Sequence, residues 1–163
     1  MNEIVEEFLQ LAKPQALILE TKNLVPIVQN VVSLTEFEAR KRNITLISDC
    51  NVEEILVRCD ENRLKQVILN FIKNGMEAMP DGGFIKVITE LKEDKVHISI
   101  IDTGIGMPPE QLKRLGEPFF TTKKSGNGLG LMISFKIIES HLGNVFVESE
   151  VNKGTIFKIV LPV

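Results

Sequence analysis

The longest periodic segment of the chain, Glu61–Met79, carries its own start and stop signals, and it limits what the rest can fold into. Asp60 stands just before it, where a carboxylate can accept from the unpaired N–H groups of a first helical turn. Pro80-Asp81-Gly82-Gly83 follows, a turn signal that no helix continues through. Val67, Ile68, Phe71, Ile72 and Met79 give this helix apolar positions that must be laid against something. Directly downstream the period changes. Phe84–Leu91 and Lys95–Ile101 read as a strand pair joined by Lys92-Glu93-Asp94, with Val96, Ile98 and Ile100 alternating with His97 and Ser99. A long amphipathic helix beside paired strands predicts a sheet layered against helices.

The remaining segments extend that pattern. Ala16–Glu20 reads as a short strand and Val25–Lys41 as a helix, with short strands near Ile44–Ser48 and Glu54–Cys59. Thr103–Asn127 is loop-rich, broken by a short helix around Glu110–Leu115. A helix over Leu129–His141 precedes Gly143, and strands Asn144–Glu150 and Thr155–Leu161 close the chain around a turn at Val151–Gly154. Strands and helices do not alternate as a doubly wound parallel sheet requires. The predicted fold class is α+β: a two-layer α/β sandwich whose mixed sheet is covered by helices on one face. At the other end, Met1–Lys13 reads as a helix stopped by Pro14, with Ile4, Val5, Phe8, Leu9 and Leu11 apolar. Isolated helices so short are marginal. Residues 1–14 are therefore expected to be the stub of a longer element, and 15–163 the folded domain.

Composition removes several function classes. A net charge of -3 over 163 residues predicts no general affinity for nucleic acid or an anionic membrane. Cys50 and Cys59, with only His97 and His141, lack zinc-ligand spacing and are expected as reduced thiols. No stretch has the apolar length of a membrane span and the N-terminus lacks a signal-peptide pattern, so a cytoplasmic location is expected.

Three segments carry chemistry. On Glu61–Met79 the residues Arg63, Gln66, Asn70, Lys73, Asn74 and Glu77 form one polar stripe. Such stripes are usually solvated faces, yet asparagine is a poor helix former. Asn70 and Asn74 at i and i+4 set two neutral carbonyl oxygens side by side, suited to magnesium that takes most of its charge compensation from nucleotide phosphates. Next, Asp102-Thr-Gly-Ile-Gly-Met107 places a carboxylate at a strand end, followed by Gly104 and Gly106. It reads either as a plain Asx turn or as an acceptor for the exocyclic amine of adenine, with glycines letting backbone approach the base. Guanine would meet the carboxylate acceptor to acceptor. Finally, Gly126-Asn127-Gly128-Leu129-Gly130-Leu131 runs into a helix without a Walker lysine or the dinucleotide fingerprint. It can deliver N–H groups to phosphate at a helix N-terminus, with Lys123 and Lys124 adding charge and Phe119 and Phe120 anchoring its base.

In order and spacing these segments resemble the catalytic and ATP-binding domain of bacterial sensor histidine kinases, within the Bergerat-type ATP-binding fold shared with gyrase and MutL. Glu61–Met79 resembles the N box, with Asn70 and Asn74 at its magnesium-binding asparagines and Lys73 and Glu77 beside them. Asp102–Met107 resembles the first glycine box; Glu117-Pro-Phe-Phe-Thr-Thr-Lys123 the F box; Gly126–Leu131 the second glycine box. Gly154-Thr155 matches the glycine–threonine turn near the family's end. The resemblance covers roughly residues 20–163, and Asn74-Gly-Met-Glu-Ala78 with Phe119-Phe-Thr-Thr-Lys123 is similar to the nitrogen-regulation and sporulation branch. Many relatives carry lysine where Glu77 stands, and threonine is frequent at the position of Asn127.

The resemblance implies ATP and Mg2+ as cofactors. It places the ATP site at Asn70, Lys73, Asn74, Glu77, Asp102, Gly104, Gly106, Met107, Phe120, Thr121, Thr122, Lys123, Lys124, Gly126, Asn127, Gly128, Leu129, Gly130, Leu131 and Thr155, with magnesium on Asn70 and Asn74. It implies transfer of the γ-phosphoryl group to a histidine on a dimerisation domain, then to a response regulator, with no nucleic-acid partner and no direct membrane contact. Phe8-Leu-Gln-Leu-Ala-Lys-Pro14 resembles the end of the second dimerisation helix. Neither His97 nor His141 sits in the phosphoacceptor His-Glu/Asp motif, so the chain is expected to be a kinase half with little activity by itself. Anchoring of a full-length protein is left open. Two other readings compete. A gyrase- or MutL-like ATPase has a water-activating glutamate where Asn70 stands, and an amide cannot take that proton. A non-catalytic nucleotide-binding module would dock through Ile4, Phe8 and Leu11.

Overall fold

The computed structural model describes residues 16–117 and 129–163, together with Val5, Glu6 and Leu9, which are helical. The rest of the helix expected over Met1–Lys13, and the segment 118–128, lie outside the described residues.

Strand β1 (Glu20–Asn23) leads straight into helix α1 (Leu24–Lys41). The strand expected over Ala16–Glu20 thus begins where that reading ended. Asn23 explains the junction: its Oδ1 accepts from Val25 N at 3.2 Å as the helix cap and from Ile55 N at 3.0 Å across the chain. α1 ends at Arg42, and Asn43 takes the left-handed conformation (φ 59°) that asparagine tolerates. Strands β2 (Ile44–Cys50) and β3 (Leu56–Cys59) follow, then helix α2 (Glu61–Glu77). Met79, expected inside this helix, instead accepts from Gly82 N at 3.1 Å in the turn.

β4 (Gly83–Lys92) and β5 (Lys95–Asp102) form the expected hairpin, with Glu93 at φ 56° in its turn. A short helix α3 (Pro109–Lys113), helix α4 (Gly130–Ser140) and the hairpin β6 (Asn144–Glu150) and β7 (Gly154–Pro162) complete the chain.

Five strands make one mixed sheet in the order β2-β4-β5-β7-β6, parallel only between β2 and β4. β1 and β3 pair as a separate antiparallel ribbon that the sequence reading placed in no sheet of its own. Registered rows such as Val87–Ile100–Phe157 and Ile98–Ile159 alternate along the central strands and are buried beneath the helices. Phe71 of α2 stacks on Phe157 of β7 at 4.5 Å and meets Phe135 of α4 edge-on at 6.4 Å, joining helix, sheet and second helix at one point. Phe84 and Phe146, on the opposite face, remain exposed. The architecture is the expected two-layer α+β sandwich. It leaves the asparagine stripe of α2, the end of β5 and the start of α4 at one end of the molecule.

Candidate functional site

Asp102 is the last residue of β5, flanked in register by Ile85 on β4 and Thr155 on β7. That central position buries it: 5% of its surface is exposed. Its Oδ1 accepts from Gly104 N at 2.9 Å and Thr155 N at 3.3 Å, an Asx turn and a cross-strand bond on the same oxygen. Oδ2 has no hydrogen bond among the described residues. Burial pushes the carboxyl above the usual aspartate range, against the pull of the two N–H groups.

The glycines around this carboxylate have measurable reasons. A Cβ at Gly75 of α2 would stand 3.3 Å from Asp102 Cβ and 3.4 Å from Oδ2, so the missing side chain leaves room beside the unbonded oxygen. A Cβ at Gly104 would come within 2.7 Å of Ala78 O, while Ile105 N donates to that same carbonyl at 3.0 Å. Gly106, at φ 69°, passes so close to Glu150 O that no side chain fits there. Close approach at Gly104 and Gly106 is thus to the chain's own backbone. Met107 N donates to Ser149 Oγ at 2.8 Å, and that hydroxyl also bonds Thr155 Oγ1 at 2.8 Å. The loop is clamped to the end of α2 on one side and the β6–β7 hairpin on the other. Asp102 is rigidly held.

α2 runs across the same end. Asp60 Oδ1 caps it through Arg63 N at 3.2 Å, and Leu64, Val67, Ile68, Phe71, Ile72 and Met76 bury its inner face. Asn70 and Asn74 are half-buried on the other side, while Lys73 and Glu77 are exposed. Asn70 Nδ2 donates to Ser134 Oγ at 3.0 Å, and a Cβ at Gly130 would sit 3.1 Å from Asn70 Oδ1. The first turn of α4 therefore abuts the asparagine, with the positive dipole end of that helix close by. Leu129 is fully buried and Leu131 half-buried, which fixes that turn in the core.

The structure brings together Asn70, Asn74, Asp102, Gly104, Gly106, Met107, Thr155 and Leu129–Leu131. Phe120–Lys124 and Gly126–Gly128 lie outside the described residues. Sequence reasoning missed Gly75, Ser134 and Ser149. A glycine inside a helix is a recognisable signal. Nothing local distinguishes the two serines.

Among the described residues no group of three His, Cys, Asp or Glu side chains could cage a metal, and no helix is long and apolar enough to cross a membrane. The amide of Asn70, set against Gly130 at the start of α4, with Asn74 one helical turn further on, is a donor type that suits a magnesium ion that keeps waters and shares phosphate oxygens. An open cavity of about 500 Å3, lined by Pro26, Gln29, Cys50 and Val52 among others, lies at the β2 edge and shares no residue with this arrangement.

Residues 59–163 match the family described as histidine kinase-, DNA gyrase B-, and HSP90-like ATPase. The chain is 49% identical over 164 residues to sporulation kinase E of Bacillus subtilis (strain 168), an alignment covering 100% of this chain and 22% of that protein. It therefore spans under a quarter of that relative's length. The catalytic domain of the histidine kinase ThkA superposes with a TM-score of 0.81 at 36% identity, covering 88% of this chain and 95% of that one. ThkA solved in complex with the response regulator protein TrrA gives a TM-score of 0.84 at 34% identity, covering 98% and 46%.

Proposed function

The chain belongs to the histidine kinase-, DNA gyrase B-, and HSP90-like ATPase family, as a catalytic domain of the histidine-kinase type, and from that premise we propose that it binds MgATP and donates the γ-phosphoryl group to a histidine on a dimerisation domain of the same kinase. One observation carries the adenine end. Asp102 is buried and held through Oδ1 alone, while Oδ2 stands beside the space left by Gly75. An amine donor in that space would complete the carboxylate's bonding. Burial makes the added bond matter, because a hydrogen bond to a charged group contributes about 1.5–3 kcal/mol.

The phosphate end follows from the helices. Asn70 lies where α2 passes the start of α4, with Asn74 one turn further along the same helix, and the N-terminus of α4 favours phosphate. Magnesium, when bound, would neutralise charge between the phosphates. Phe120, Thr121, Thr122, Lys123, Lys124 and Gly126–Gly128 are proposed to belong to the nucleotide site as well, together with the exposed Lys73 and Glu77 of α2. Phosphoryl transfer asks a protein mainly for positioning and charge compensation, so the acceptor histidine supplies the nucleophile and this domain needs none. Residues 1–14 are read as the end of the second dimerisation helix and 15–163 as the catalytic domain. A response regulator is proposed as the downstream acceptor, a reading supported by the similarity to ThkA, which has been solved in complex with the response regulator protein TrrA.

Mixing the chain with a separately produced dimerisation domain and γ-labelled ATP tests this. Phosphohistidine should form on the partner, and Asp102→Asn or Asn74→Ala should abolish it while the fold persists. No label on the partner, with nucleotide binding intact, would leave a nucleotide-binding interaction module instead.

A further inference from the structure

An outer strand of a sheet shows its unpaired N–H and C=O groups to whatever lies beside it, and proteins commonly blunt such an edge with lysine, proline or a bulge. β2 stands at one edge of the five-stranded sheet and pairs only with β4 among the described residues. Its sequence, Ile44-Thr-Leu-Ile-Ser-Asp-Cys50, carries neither lysine nor proline. Its register with β4 runs unbroken from Ile44 to Cys50, without a bulge. The outward side of β2 is an unguarded edge.

The cavity of about 500 Å3 opens along the C-terminal half of that edge, at Ser48, Asp49 and Cys50. Ser48 pairs with Val87, which is fully buried on the helix-covered face of the sheet, so the serine belongs to that face too. Yet Ser48 is exposed, whereas Ile44 at the start of the same strand is buried. The helix layer thus leaves a gap at the end of β2, bordered by Pro26 and Gln29 of α1 and by Val52 and Glu53. Asp49 and Glu53 are the charged residues of its lining, both acidic, and no basic residue lines it among the described residues. Gln29 and Ser48 add uncharged polar groups, while the Cys50 thiol is already engaged with Val52 O at 3.1 Å. Lys86 reaches Asp49 only at 3.9 Å, and an exposed pair of that kind contributes little.

We propose that the β2 edge and this cavity together dock an extended segment of a partner protein, which adds to β2 as a further strand and sets an arginine or lysine side chain into the cavity. Strand addition takes its affinity from main-chain hydrogen bonds and its specificity from pockets that receive alternate side chains. Successive side chains of the added strand fall on opposite faces, and those on the helix-covered face enter the gap beside Ser48. Charge then selects among them. A cationic tip meets Asp49 and Glu53, whereas an acidic one faces two like charges. The cavity shares no residue with the arrangement around Asp102 and Asn70, so docking leaves nucleotide binding free.

Amide NMR of the isotope-labelled 163-residue chain tests this with three acetylated and amidated heptapeptides. One alternates threonine and valine around a central arginine, and a second has glutamate at that centre. The third keeps the arginine but carries proline on both sides of it, which removes two strand donors. The arginine peptide should shift the amides of Ser48, Asp49, Cys50 and Val52. It should bind about tenfold more tightly than the glutamate peptide, the equivalent of one charge-assisted hydrogen bond, and leave ADP affinity unchanged. The proline peptide should shift none of these amides. Glu53→Lys, a change at an exposed loop residue, should remove or invert the preference for arginine over glutamate. In the unbound chain, alternate amides of β2 should exchange freely with solvent. The proposal is overturned if the arginine peptide leaves these amides unmoved, or binds no better than the glutamate peptide. It is overturned equally if every β2 amide is protected in the unbound chain: sedimentation as a dimer would then assign the edge to a second copy, and sedimentation as a monomer to another segment of the same chain.

Discussion

At the scale of single residues, Asp102 has two separable jobs. Oδ1 organises the loop by accepting from Gly104 and Thr155, and Oδ2 is the oxygen proposed to meet a base. Asp102→Asn should separate them, because an amide oxygen can keep the first job while its NH2 group opposes adenine's own amine. The sign of the stability effect follows from the raised pKa. A carboxyl whose folded pKa is raised contributes stability below its unfolded value, here close to 3.8, and loses it as pH rises through the folded value. At neutral pH the charged form is therefore a burden on the fold. Asp102→Asn should melt at or above the wild-type temperature at neutral pH, and a fall of several degrees would contradict the assignment of its bonds. The same shift predicts that nucleotide affinity weakens on acidification at a higher pH than an ordinary carboxylate would allow, which a pH titration of binding would detect. The carboxylate itself was legible in sequence as the end of an alternating strand before two glycines. Its division of labour was not, since that depends on Thr155 arriving from a strand fifty-three positions away.

The elements are joined by a few polar ties. Asp60 caps α2 through Arg63 N, and its Oδ2 also accepts from Ile18 N at 3.1 Å, in the segment leading out of the N-terminal helix. Its own N–H donates to Nε2 of His141 at 3.0 Å, and Nδ1 of that buried ring donates to Ile137 O at 2.8 Å, so the end of α4 is tied to the start of α2. Asp60→Ala should lower stability by about 0.5–2 kcal/mol, a few degrees of melting temperature for a domain of this size. It should also remove hydrogen-exchange protection from the Ile18 amide; unchanged protection there would refute the tie. Helix and strand limits were read from sequence to within a residue or two, because caps and turn residues are local signals. β1 was misplaced because Asn23 ends the strand and caps the helix at once, and only its bond to Ile55 reveals that. The β1–β3 ribbon was equally hidden, since strand pairing is a non-local choice.

On the scale of the whole molecule, the described residues of the sandwich leave one sheet face covered and one open, and bring the proposed nucleotide-site residues Asn70 and Asp102 and the start of α4 to one end. Gly104→Ala would force a Cβ within 2.7 Å of Ala78 O and should detach the loop from α2, costing about 1–3 kcal/mol in denaturant unfolding along with nucleotide affinity. Because the nucleophile of the proposed reaction is a histidine on another domain, the chain alone should hydrolyse ATP barely above background; vigorous turnover would instead favour the ATPases of the family. The motifs in order and spacing point to this end of the molecule from the sequence, and a glycine within a helix marks Gly75, while Ser134 and Ser149 emerge only from packing between elements. The most direct test of the account is a comparison of ADP and GDP affinities for the wild type and Asp102→Asn in the presence of Mg2+. The wild type should prefer ADP by about one to two decades, the equivalent of one charged hydrogen bond, and the variant should lose that preference with its fold intact. An unchanged preference in the variant would contradict the claim that Asp102 holds the adenine.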